Sequence, residues 1–137
     1  VHAESEHLDR VADREIPVVA CPRANLVLDV GTPPIRELVD TTTVALGTDN
    51  VMLNDPSMFR EMAYTAKRFD VSDREVLRMA TRNGARAVDA EFGLIEPGRP
   101  AKLLVLDGDS DNLAGTESPV SAVVRRASGL DVREFAV

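Results

Sequence analysis

An aspartate and a histidine are the residues of this chain whose type and placing could do chemistry. Asp49 follows the apolar run Val44–Leu46 and a glycine, so it would stand at the C-terminal mouth of a buried strand. Strand ends of this kind carry catalytic groups in α/β enzymes. A carboxylate there can bind a divalent metal and can hold or accept a proton of the water that the metal activates. An aspartate after a strand also caps loops and helix starts, and Asp49 taken alone does not choose between these roles. His2 is an imidazole that can donate, accept or ligate near neutral pH; it can equally be a histidine at a chain end with no role. His7 falls on the solvent side of the first helix and is assigned none. Cys21 reads as a buried thiol. Arg23 could meet an anionic substrate group but reads more simply as a solvated surface side chain. Asn25 reads as a brace of its own loop, and Asn50 and Asn54 lie within a few residues of Asp49.

The elements that must position these groups follow from periodicity and punctuation. Residues 5–15 place Leu8, Val11 and Ala12 at helical spacing behind Ser5. The runs at 16–21 (IPVVAC) and 42–47 (TTVALG) are apolar and β-branched without alternation, as strands buried on both faces of a parallel sheet are. Residues 22–34 read as a loop, with Pro34 opening a helix through IRELVD. Met58, Met62, Ala66 and Phe69 mark one face of a helix over 56–69, and Ser72 with Glu75 has capping-box spacing ahead of Val76, Leu77 and Ala80. Helical composition resumes over 84–90. This alternation argues for βα units, with 16–21 and 42–47 adjacent and parallel. After Gly93 a turn-rich hinge leads to a strand at 102–107. The segments 121–127 and 131–137, joined by Ser128-Gly129, read as a hairpin with one wet face.

Composition bounds the rest. The chain has 137 residues, enough for one sizeable core. Its acidic residues outnumber its basic ones, 23 to 16, for a formal charge of −7, which argues against nucleic acid as a partner. No apolar run approaches the length of about 18 residues that a spanning helix needs, and no leader pattern is visible, so a cytoplasmic protein without a membrane partner is expected. One cysteine excludes an intramolecular disulfide. Lys67 and Lys102 are the only lysines; such an acidic, lysine-poor surface suits high salt and suits equally a genome rich in arginine codons. Val1 in place of a methionine suggests a fragment.

Four segments, in order, resemble the metal-dependent amidohydrolase superfamily in its cytosine-deaminase and chlorohydrolase-like branch. CPRANLVLDVG resembles that branch's CPRSN-x-x-L-x-x-G stretch and VALGTDN its LGTD signature. MATRNGARAV resembles its aT-x-nGA helix and GLIEPGRPAKLLVLD its closing segment. The resemblance implies an α/β fold: the last part of a (β/α)₈ TIM barrel over residues 1–92, from the end of strand six through strands seven and eight. Residues 93–137 would then belong to a small composite β-sandwich. It implies that Asp49 is both catalytic and a metal ligand, and that His2, in the place of the strand-six histidine, polarises the reacting centre or ligates a second metal. The metal would be divalent, zinc by preference. The superfamily's HxH pair and strand-five histidine have no counterpart here, so two candidate ligands face a zinc site that needs three or four.

The function expected of the parent is hydrolysis of C–N bonds other than peptide bonds, in aminated heterocycles or cyclic amides, by metal-activated water, on a small-molecule substrate. The piece itself is expected to be inactive and to hold no metal tightly. The other class of reading is a non-enzymatic α/β assembly module. A nucleotide-binding domain is disfavoured because neither strand leads into a glycine-rich phosphate loop. A barrel cut after its fifth strand should expose one edge and apolar residues such as Val18, Val44 and Leu46. That would drive homo-oligomerisation or association with the absent half.

Overall fold

The two apolar runs are short, β-branched and flanked by proline or glycine, and both become strands. In the computed structural model, which describes residues 5–136, β1 (Val18–Ala20) and β2 (Val44–Leu46) lie parallel, with Val18 opposite Val44 and Ala20 opposite Leu46. The expected adjacency therefore holds. A helix α1 (Ser5–Asp13) precedes β1, and α2 (Pro22–Leu28) with α3 (Ile35–Thr41) forms the crossover that a parallel pair requires. The stretch read as a loop over 22–34 is thus helical in its first half. Pro22 opens α2, where a missing N–H costs nothing, and Asp29 closes it in the left-handed region at φ 52°.

Three helices follow β2: α4 (Met58–Arg68), α5 (Asp73–Ala80) and α6 (Arg82–Ala87). The Ser57 side chain accepts the Arg60 N–H at the start of α4, and Ser72 and Glu75 cap α5 reciprocally. Ala20, Val44 and Leu46 pack with Ile35 and Leu38 of α3, Met62 and Ala66 of α4, and Val76 and Met79 of α5. Val44 and Leu46 are therefore 1% and 5% exposed, contrary to the expectation that they meet water. Their side chains point into the helical layer, and the period of two along a strand leaves Val19 on the other face, 47% exposed.

The tail departs from expectation more sharply. Residues 121–127 are not a strand: they fall in and just after α7 (Pro119–Arg126), and no hairpin joins them to the chain end. β4 (Val132–Ala136) pairs antiparallel with β3 (Leu103–Leu106), with Leu104 opposite Phe135. Val120, Val123, Val124 and Ala127 sit at helical spacing behind a first-turn proline. Burial against α4 and α5 outweighs the strand preference of three valines. Among the described residues β3 and β4 make a sheet of two strands.

Candidate functional site

The ends of β1 and β2 meet closely, and Gly47 is why they can. Its N–H donates to the Ala20 carbonyl at 2.9 Å, extending the ladder one step past β2. A Cβ at this position would stand 2.9 Å from Val19 Cγ1 and 3.0 Å from Cys21 Sγ, closer than packed atoms approach. Two residues on, Asp49 turns the chain at φ +59°, a left-handed conformation that aspartate tolerates better than most side chains. It is exposed at the C-terminal end of β2, and its Oδ1 accepts the Asn50 N–H at 2.7 Å. Asn50 in turn accepts the Met52 N–H on its side chain and the Leu53 N–H on its carbonyl, each at 2.9 Å. The loop from 49 to 56 is thus shaped by its own short-range bonds.

Its attachment to the body of the molecule comes from a residue whose sequence suggests a surface arginine. Arg23, in the first turn of α2, is 14% exposed, not solvated. One arm of its guanidinium, Nη1, donates to Glu61 Oε1 of α4 at 3.3 Å. The other, Nη2, donates to Asn54 Oδ1 at 3.2 Å and Asp55 Oδ1 at 3.0 Å. Arg60 Nη1 reaches the same Asp55 oxygen at 3.0 Å. The side chain of Glu61 has no exposed surface. Its Oε2 lacks a hydrogen-bond partner, as do the enclosed Thr65 Oγ1 and Asn54 Nδ2. Burial pushes the Glu61 carboxyl up while the charge of Arg23 opposes it. The Arg23 hydrogen bond holds Asp55 below the usual carboxylate range.

Cys21 lies half-buried beside this group. Burial first, then the charges of Asp49 and Glu61, push its thiol up, which suits a neutral packed thiol. Asn25 is buried and donates to the Gly31 carbonyl at 3.4 Å, bracing its own loop as expected. His2 lies outside the described residues. His7 is half-exposed, 3.7 Å from Glu6. Among the described residues no group of three or more histidines, cysteines or carboxylates converges as metal ligands would. Asp49 can supply one carboxylate, so these residues do not by themselves fit a complete metal site.

The Arg23–Glu61 pair left one legible trace in the sequence. Glu61 and Thr65 fall on the stripe of Met58, Met62 and Ala66, at positions i+3, i+4, i+7 and i+8 of one helix face. A carboxylate on an apolar face needs a buried cation, and nothing local names Arg23, 38 residues upstream, as that cation.

The chain belongs to the amidohydrolase family, whose sequence model matches residues 1–132. It is 36% identical over 137 residues to an uncharacterized protein of Methanocaldococcus jannaschii, covering 99% of this chain and 36% of that protein. It is 35% identical over 143 residues to the 5-methylthioadenosine/S-adenosylhomocysteine deaminase of Haloquadratum walsbyi, covering 97% of this chain and 32% of that enzyme. An adenosine deaminase from Xanthomonas campestris, solved with bound zinc, superposes at a TM-score of 0.90 and 27% identity, over 98% of this chain and 33% of that one. The atrazine chlorohydrolase of Arthrobacter aurescens TC1, complexed with zinc, superposes at 0.86 and 26% identity, over the same shares of the two chains. The chain spans about a third of the length of the relatives it matches. No helix among the described residues is long and apolar enough to cross a membrane.

Proposed function

We propose that this chain is part of a cytoplasmic amidohydrolase that hydrolyses C–N bonds other than peptide bonds, in aminated heterocycles such as purine nucleosides or in cyclic amides. The observation that carries the reading is the exposed Asp49 at the C-terminal mouth of a buried parallel strand, in a chain of this family. Relatives that deaminate adenosine-type substrates support the substrate class, and the zinc of the solved neighbours supports a divalent metal, zinc by preference. β1 and β2 would be the seventh and eighth strands of a (β/α)₈ barrel occupying residues 1–92, and residues 93–137 part of a smaller composite β domain. Asp49 would serve as a metal ligand and hold or accept a proton, and His2 would act as a polarising group or second ligand.

The test is made in the intact protein. Asp49→Asn keeps the shape of the side chain but can neither carry negative charge nor take up a proton. Turnover of a panel of aminated heterocycles and cyclic amides should fall by at least about 10²- to 10⁴-fold, with the fold unchanged by circular dichroism. His2→Ala should also slow turnover; a drop from two metals per chain to one by elemental analysis would make His2 a ligand. Undiminished turnover in Asp49→Asn would remove the assignment and the functional reading with it.

A further inference from the structure

We propose that Arg23 is a positioning residue: by gripping buried Glu61 with one arm and Asn54 and Asp55 with the other, it fixes where the loop carrying Asp49 stands at the end of β2. The inference rests on the reading of Asp49 as a functional group.

At its first residue the loop from 49 to 56 lies against Cys21, whose thiol the Asp49 backbone and charge both influence; beyond that residue it has little else to hold it. Its internal bonds, Asn50 to Asp49, Met52 to Asn50 and Leu53 to Asn50, give it shape without attaching it to the body. Arg23 attaches it, from the residue pair that directly follows β1 and Cys21. The exposed Arg60 adds a second hold on Asp55 only. The guanidinium therefore joins the segment that follows β1 to the far half of the loop that follows β2, at Asn54 and Asp55.

The chemistry of the pair explains why an arginine does this. Guanidinium is a planar fork whose two arms diverge at a fixed angle, so anchoring one arm directs the other. Glu61 is that anchor. Enclosed and with one oxygen unpartnered, it cannot release Arg23 without stranding a charge in the interior. A lysine, with one ammonium on a flexible stem, would satisfy Glu61 and leave the loop loose. Stability alone does not call for this arrangement, because a buried ion pair contributes no more than a well-packed apolar pair of the same volume. What the ion pair adds is direction.

The experiment uses three variants made in the intact protein: Arg23→Lys, the apolar double Arg23→Met/Glu61→Leu, and the loop-side double Asn54→Ala/Asp55→Ala, which leaves the buried pair intact. Hydrogen exchange is read over residues 48–56 and over α5, with zinc affinity by competition titration and kcat and KM where turnover is found. In each variant the amides of 50–54 should exchange at least about tenfold faster while α5 keeps its protection. Zinc affinity and kcat should fall about 10- to 100-fold with KM changed less, as when a ligand loses its support. Wild-type exchange at 50–54 in the folded loop-side double overturns the proposal, and so does full restoration of exchange by lysine at position 23. If the intact wild-type protein binds no zinc and turns nothing over, the functional reading fails, and the exchange at 50–54 still decides the part played by Arg23.

Discussion

Asp49 and Gly47 do opposite things to the backbone within three residues. Asp49 takes up a left-handed φ that glycine would favour, while Gly47 gives up a side chain because Val19 and Cys21 occupy its space. The glycine is thus a packing requirement of the strand ends and not a turn residue, and this separates two outcomes. Gly47→Ala should destabilise the chain by about 1–3 kcal/mol, the usual cost of forcing a methyl into a filled space. Adding Val19→Ala, which removes the nearer clashing methyl from a half-exposed position, should recover part of that loss in urea titrations. If Gly47→Ala is neutral, the strand ends are looser than their contacts indicate. At the same scale, Arg23 shows the limit of reading single residues. Its neighbours in sequence are Pro22 and Ala24, and every group that defines its role lies more than 30 positions away.

At the scale of elements, the sequence makes legible whatever local chemistry decides. The capping box at Ser72 and the apolar stripe of α4 rest on residues within a few turns of one another, and the parallel pairing of β1 with β2 follows from two unalternating apolar runs joined by a helix-length connection. Segment 121–127 misleads in sequence because its valines favour strands by residue type while their spacing is helical, and the choice is made by packing on α4 and α5, which lie 40 or more residues earlier. A polar knot then fixes the turn between α7 and β4. Asp131 is buried and accepts the Ser128 N–H at 2.7 Å, the Ser128 hydroxyl at 2.9 Å and Asn112 Nδ2 at 3.0 Å. Ser110, Asn112 and Ser128 hold its carboxyl down to about 2. The Asn112 and Ser128 contacts have hydrogen-bond geometry, while the enclosed Ser110 oxygen lacks it. A carboxyl whose folded value lies below its unfolded one stabilises the fold above the unfolded value and loses that contribution as pH falls towards the folded value. Stability should therefore decline between about pH 4 and pH 2 through this group. Thermal melts of Asp131→Asn should show a shallower decline across that window, and an unchanged slope would place the acid sensitivity elsewhere.

The whole molecule sets exposed apolar residues against an acidic surface, and the balance between them is measurable. Helices cover one face of the β1–β2 pair; on the other Val19 is half-exposed although its neighbour Ala45 is buried, while Leu104, Val105 and Phe135 of the β3–β4 pair are also exposed, as are Leu130 and Ile95. A sheet of two strands with both edges free is marginal by itself, and unpaired edges recruit other strands. Against this stands a formal charge of −7, which repels a second copy over a distance that salt controls: the screening length falls from about 30 Å at 0.01 M to about 3 Å at 1 M. Association through these exposed apolar residues should therefore strengthen as salt is raised, whereas contacts built on ion pairs would weaken. Light scattering of the 137-residue chain across a potassium chloride series should show a mass that climbs from monomer towards dimer or larger. Val19→Asp, a charge at the half-exposed position of β1, should hold the chain at monomer mass through the same series. A mass that stays monomeric at high salt would mean that the uncovered apolar residues are too dispersed to drive assembly. A mass that falls with salt would mean that charge pairing, and not the open sheet, holds the copies together.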